Sequence, residues 1–305
     1  MAALPPILTL AHSPDPDDAF MWFPLAGIDG GPPLVDTGRF TFRLVLSDIE
    51  SLNSRAVEQA DLDLTAVSFA TYPLVEHRYA ITSCGASMGD GYGPKIVAQK
   101  SRLPMPDVPD HPDNMAWLRH HARLAVPGLR TSAYLTLCIL LGGQPAHATA
   151  MSFDRIIDAV NAGPYDAGVV IHEGQLTFQD SGLVQILDLG SWWTHTRSAP
   201  MPLGANLIKR DLESRFGPGT LREITGALAR SIQWSLAHRD VAVRYALRHA
   251  RGVTPAQTDE FIRMYVNEYT LRLGDRGRLG ISRLFADAAA LGLLPGPVSV
   301  DVIEP

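Results

Sequence analysis

The feature that most limits the fold of this chain is Val169-Val170-Ile171, a β-branched run with no polar break. Such a run suits a strand covered on both faces, as in parallel sheets whose crossover helices pack on either side. The first half of the sequence repeats the theme by alternating short apolar runs with helical patterns, the signature of an α/β fold. Ile7 to Ala11 reads as a strand, Ser13 to Leu25 as a loop entering a helix, Phe40 to Ser47 as a strand, Asp48 to Glu58 as a helix and Leu62 to Ser68 as another strand. Leu124-Ala125-Val126 is then a short strand, Pro127-Gly128 a turn, and Thr131 to Leu141 an apolar helix. Between these halves, Pro104, Pro106, Pro109 and Pro112 neither sustain a helix nor donate to a ladder, so Leu103 to Pro112 reads as a surface connector. The C-terminal part is helical. There Ile224, Leu228 and Ile232 share one face, and Thr254-Pro255-Ala256-Gln257 has the pattern of a capping box.

Length and charge narrow the function classes. A chain of 305 residues suits about two domains, and 46% apolar against 19% charged residues excludes intrinsic disorder. The net charge of -6 lacks the basic excess that a nucleic-acid partner requires. No apolar stretch reaches the roughly 18 residues of a membrane-spanning helix, and the amino end has no basic n-region. A cytoplasmic protein without membrane contact is therefore expected. Cys84 and Cys138 are too few for a disulfide framework or a cysteine-based zinc site. The run Gly85 to Pro94 lacks a terminal Gly-Lys-Ser/Thr and precedes a strand, so it is not a phosphate loop. No dinucleotide fingerprint occurs.

Two places carry chemistry. His172 directly follows the β-branched run, and ligands of open α/β sheets collect at the carboxyl ends of strands. An imidazole there can take a proton near neutral pH, or it can simply bond a backbone carbonyl and close the strand. Glu173, the next residue, alternates away from it and is not its carboxylate partner. Thr131-Ser132 opens a helix after a strand and a turn, where backbone N–H groups and two hydroxyls can hold a carboxylate; ordinary capping accounts for the same residues equally well. Asp15, Asp17 and Asp18 suggest either a hard-cation site or first-turn acids behind Pro16. Capping explains them more fully. His120 and His121 are adjacent and share no helix face, which makes them a poor metal pair. Trp192-Trp193 suits ring stacking or core packing.

Several motifs occur in an order that resembles one family. They are Ser13-Pro14-Asp15-Pro16-Asp17-Asp18-Ala19-Phe20, the Gly85 to Pro94 run, Ile171-His172-Glu173-Gly174, Pro202-Leu203-Gly204 and Met264-Tyr265-Val266-Asn267-Glu268-Tyr269-Thr270. Together they resemble the 1,4-dihydroxy-6-naphthoate synthases, lyases of the futalosine route of menaquinone biosynthesis. The resemblance implies an α/β, two-lobed type II periplasmic-binding-protein-like fold with a central cleft, its smaller lobe at 101–198 and its larger lobe at 1–100 plus 199–305. It also implies conversion of cyclic dehypoxanthinylated futalosine to 1,4-dihydroxy-6-naphthoate without a cofactor or metal. His172 maps onto the proton acceptor, while Thr131 and Ser132, with Ala66, Val67 and Ser68, map onto contacts for a small-molecule carboxylate. The chain departs from the pattern at Asp15, Asp17 and Ala19, where Cys, Asn and a hydroxyl residue are usual, and at Ala66, where some members carry Lys. A solute-binding protein of the same fold and the sibling chorismate dehydratase are the alternatives. Ile-His-Glu-Gly and Tyr-Val-Asn-Glu-Tyr-Thr argue against the second.

Overall fold

The computed structural model describes residues 4–250 and 254–305. Its strands are β1 (Ile7–His12), β2 (Thr41–Leu46), β3 (Leu64–Ser68), β4 (Tyr79–Thr82), β5 (Ser87–Gly89), β6 (Lys95–Ala98), β7 (Leu124–Val126), β8 (Ala148–Ala150), β9 (Ala167–Val170), β10 (Val184–Asp188), β11 (Met201–Lys209) and β12 (Val302–Ile303). Two compact units form: Met1–Met88 with Gly204–Asp275 and Val298–Pro305, and Gly89–Leu203 with Arg276–Pro297.

In the first unit the strands follow the order β12-β4-β11-β3-β1-β2. β1 runs parallel to β2 and β3, while β11 is antiparallel to both β3 and β4. The carboxyl ends of β1 to β4 therefore share one edge. The helix Pro16–Ala26 covers this sheet and is buried from Pro16 to Leu25, because its Phe20, Met21, Trp22 and Phe23 join Leu8 and Leu10 of β1 and Ile224, Leu228 and Ile232 of the helix Thr220–Ala237 in one apolar core. After Asp17 and Asp18 this helix is apolar on all sides, and such a stretch is stable only when enclosed in this way. Gly85 sits at φ +82°, and a Cβ there would come within 2.7 Å of both Trp22 and Asn206. Close approach, not phosphate binding, accounts for that glycine.

In the second unit the order is β10-β6-β9-β7-β8. β7 is parallel to β8 and β9, and β6 is antiparallel to β9 and β10. The carboxyl ends of β7, β8, β9 and β10 thus lie on one edge, together with the amino end of β6. Val97, Ala125, Ile156, Val160 and Val170 form its core with Phe178 and Leu183. A Cβ on Gly168 would reach Ile156 Cγ2 at 2.5 Å, so the helix Ile156–Asn161 lies directly on the backbone of β9.

The division into units falls elsewhere than the expected boundaries near 100 and 199. β6 belongs with the second unit because β9 and β10 pair with it on both sides, and Lys95 bridges Asp188 at 2.6 Å. Residues 276–297 also belong there rather than with the larger lobe, held by Arg197 against Asp287 at 2.6 Å and by Arg276 against Asp90 at 3.1 Å. Smaller differences are local. The β-branched strand starts earlier, at Ala167, and Ile171 lies outside the ladder. Pro112, expected inside a connector, opens the helix Pro112–His120, a position where its missing N–H costs nothing. The capping box of Thr254 and Gln257 forms as read.

Candidate functional site

At the edge of the second unit, β7 and β9 are lateral neighbours, with Leu124 opposite Ala167 and Ala125 opposite Gly168. The turn leading to Thr131 and the turn holding His172 therefore leave adjacent strands in the same direction. His172 has φ +51°, a left-handed conformation that non-glycine residues adopt at a cost of about 1–3 kcal/mol. The turn is fixed by the Gln175 N–H, which donates to the His172 carbonyl at 3.1 Å, and by Phe153, whose ring stands edge-on to the imidazole at 4.6 Å between centroids. Glu173 is buried and opens the helix Gly174–Thr177.

Thr131 is the N-cap of the helix Ser132–Leu141. Its hydroxyl accepts from the Tyr134 N–H at 3.2 Å and donates to the Gly128 carbonyl at 2.8 Å. Ser132 donates its own proton to the Leu203 carbonyl at 2.7 Å. A hydroxyl carries one proton, so both side chains spend theirs inside the protein. What this helix start offers an anion is its backbone N–H groups and dipole, since the first turn of a helix lacks intrahelical acceptors.

The first unit has its own edge. Ala66, Val67 and Ser68 end β3 and are all buried. The Ser68 N–H donates to Asn53 Oδ1 at 2.8 Å, and Asn53 Nδ2 donates to Ser68 Oγ at 3.1 Å. Asn53 lies on the buried side of the helix Ile49–Glu58, with Leu52 and Ala56. Sequence reasoning missed it, although an amide among apolar positions is a readable anomaly, because a buried amide is tolerated only when bonded.

Beside β3, His12 ends β1 with 2% exposure. Its Nδ1 lies 2.8 Å from the Ser13 carbonyl, which can only accept, so Nδ1 carries the proton and Nε2 is the acceptor nitrogen. Nε2 is buried with no hydrogen-bond partner among the described residues. Burial pushes the His12 pKa down to about 4, against the opposing Ser13 hydrogen bond and with a smaller push from His249. The acids that follow organise the turn: Asp18 accepts from the Ser13 N–H at 2.8 Å, Asp15 accepts from the Ser13 hydroxyl, and Asp17 lies 3.5 Å from Ser87 Oγ. Asp15 occupies the N-cap position of the helix Pro16–Ala26, yet its side chain makes no capping bond, because it serves Ser13 instead.

Among the described residues, no group of three His, Cys, Asp or Glu side chains is placed to hold a metal ion, and no helix is long and apolar enough to cross a membrane. Trp193 is wholly buried, and the Arg197 guanidinium lies over the Trp192 and Trp193 rings at 5.2 and 5.7 Å. That pair is used in packing.

The two α/β units, each a mixed sheet packed with helices, form a type II periplasmic-binding-protein-like fold. The alkanesulfonate-binding protein SsuA of Xanthomonas axonopodis pv. citri has this fold at 15% identity and a TM-score of 0.66, with both chains fully covered. Protein AF1704 of Archaeoglobus fulgidus is nearer, at 38% identity and a TM-score of 0.80 over 94% of this chain and 98% of its own. The sequence matches the family described as menaquinone biosynthesis over residues 8–290. A 1,4-dihydroxy-6-naphtoate synthase of Thermus thermophilus is 35% identical over 293 residues, 95% of this chain and 97% of its own. The chain belongs to the 1,4-dihydroxy-6-naphthoate synthase family of menaquinone biosynthesis.

Proposed function

We propose that the protein is a carbon–carbon lyase that converts cyclic dehypoxanthinylated futalosine to 1,4-dihydroxy-6-naphthoate in the cytoplasm, with His172 as proton acceptor and no cofactor. The observation that carries this reading is the strained φ of +51° at His172, beyond the carboxyl end of β9. Strain of this kind persists where the surrounding structure holds a side chain in a required direction, and His172 is held by Phe153 and Gln175. A base so positioned typically contributes about 10²–10⁴-fold. Deprotonation of a substrate hydroxyl leaves an oxyanion whose electron pair forms a carbonyl as the adjacent carbon–carbon bond breaks. The pair of that bond stays on the other fragment, which takes up the proton, so the protein is asked only for proton transfer and orientation.

In this reading Thr131 and Ser132 bring the helix start to the substrate carboxylate, and Ala66, Val67 and Ser68 form a second contact strand. The substrate is a small carboxylate-bearing molecule. Asp15 and Asp17 in place of the family's usual Cys and Asn serve the turn around Ser13 and Ser87, which is compatible with an unchanged reaction. Incubation with cyclic dehypoxanthinylated futalosine and, separately, with chorismate, followed by mass-spectrometric identification of products, tests the proposal. Release of 1,4-dihydroxy-6-naphthoate from the first alone is expected. A product from chorismate alone would assign the sibling reaction instead.

A further inference from the structure

We propose that Asn53 is a positioning residue that holds the Ser68 hydroxyl as a hydrogen-bond donor toward a carboxylate or carbonyl oxygen of the substrate. The proposal rests on the reading of Ser68 as a substrate contact and adds how that contact is given its direction.

The polarity follows from which groups can donate. A backbone N–H only donates, so the Asn53 atom 2.8 Å from the Ser68 nitrogen is the amide oxygen. The amide nitrogen then lies on the other side, where it reaches Glu50 Oε2 at 3.3 Å and Ser68 Oγ at 3.1 Å. An amide nitrogen cannot accept, so Ser68 Oγ receives this bond through a lone pair. Its single proton is left to point elsewhere.

Among the described residues, nothing nearby consumes that proton. Ser68 stands at the N-cap of the short turn Phe69–Thr71, yet its side chain makes no capping bond. Among the described residues no acceptor takes its hydroxyl hydrogen, although the residue is only 4% exposed. A buried donor without an acceptor is costly, and this one lies at the carboxyl end of a central strand, where open α/β sheets bind ligands. An oxygen of the substrate supplies the missing acceptor. Asn53, itself fully buried, sets the direction twice, once through the Ser68 backbone and once through its oxygen.

The test reverses the polarity at nearly constant shape. Asn53→Asp keeps the acceptor for the Ser68 N–H but replaces the donor with an oxygen that captures the hydroxyl proton. Adding Glu50→Gln removes the carboxylate that would repel the new Asp and supplies an N–H to it. Steady-state kinetics on cyclic dehypoxanthinylated futalosine should show KM raised about tenfold or more in Asn53→Asp/Glu50→Gln, with kcat within about threefold of the parent, as for an interaction that binds ground and transition states alike. Ser68→Ala should raise KM by a similar factor, and combining it with the other two changes should raise KM no further. Thermal unfolding accompanies each variant; if the double variant fails to fold, Asn53→Asp alone carries the comparison.

Ser68→Ala with a raised KM beside Asn53→Asp/Glu50→Gln with a parental KM would overturn the positioning role and leave the substrate contact standing. Multiplicative effects in the triple variant would also overturn it, because Asn53 would then act independently of Ser68. A parental KM in Ser68→Ala would remove the substrate contact itself.

Discussion

Beyond β7, Thr131 and Ser132 give their hydroxyl protons to the Gly128 and Leu203 carbonyls, whereas at the end of β3 Ser68 takes a hydrogen bond from Asn53 and keeps its proton. The histidines differ in parallel. His12 ends β1 fully buried, with its Nδ1 tied to the Ser13 carbonyl. His172 follows β9 in a left-handed turn and is only partly buried. At both edges, groups of the same type are bonded differently within the protein, and the residue type does not reveal which is which. Hydroxyls and imidazoles both donate and accept, so their role depends on which protein groups reach them first.

The largest effect is expected at His172. His172→Ala should lower kcat by about 10²–10⁴-fold while leaving KM near the parental value, because a lost base removes an interaction made in the transition state. Stopped turnover with unchanged affinity for 1,4-dihydroxy-6-naphthoate, measured by calorimetry, is the expected pairing.

His12 should act on stability instead. Its pKa falls from 6.5 to about 4 on folding, so the unfolded chain binds the proton more readily. Stability from this group is fully present above pH 6.5 and is lost as pH falls toward 4, amounting to about 3 kcal/mol at the acid limit. Urea unfolding of the parent and of His12→Gln at pH 7 and pH 4.5 isolates it: the variant should lose less stability on acidification than the parent. An equal loss in both would assign the acid sensitivity to other groups.

Thr131→Val removes a helix cap and should cost about 1 kcal/mol of stability, with KM changed less than in Ser68→Ala, since its hydroxyl proton is already spent on Gly128. Ser132→Ala should have the smallest effect, about 0.5–1 kcal/mol for one hydrogen bond to a carbonyl. A tenfold rise in KM for either would show that these hydroxyls do serve the ligand, and the contrast with Ser68 would disappear.

Much of the fold was legible because it is local. The N-cap at Thr131, the first-position Pro16 and the box at Thr254 need only a few neighbouring residues. The strands β1, β3 and β7 announce themselves through apolar runs. The unit boundaries were not legible, because β6 belongs where β9 and β10 pair with it and residues 276–297 belong where Arg197 and Asp90 hold them. His172 could be picked out from its position after a β-branched run, but its positive φ could not, since nothing in Ile-His-Glu-Gly requires it. Asn53 was missed for the same reason that the hydrogen bond of Ser132 could not be foreseen. Their decisive partners are Ser68 and Leu203, and such partners are set by packing rather than by neighbouring sequence.

The most direct measurement counts molecules of 1,4-dihydroxy-6-naphthoate released from cyclic dehypoxanthinylated futalosine per molecule of enzyme, for the parent beside His172→Ala. Many product molecules per parent enzyme are expected, and almost none from a variant that still folds and binds product. At most one product molecule per parent enzyme, or equal release by both proteins, would contradict that expectation.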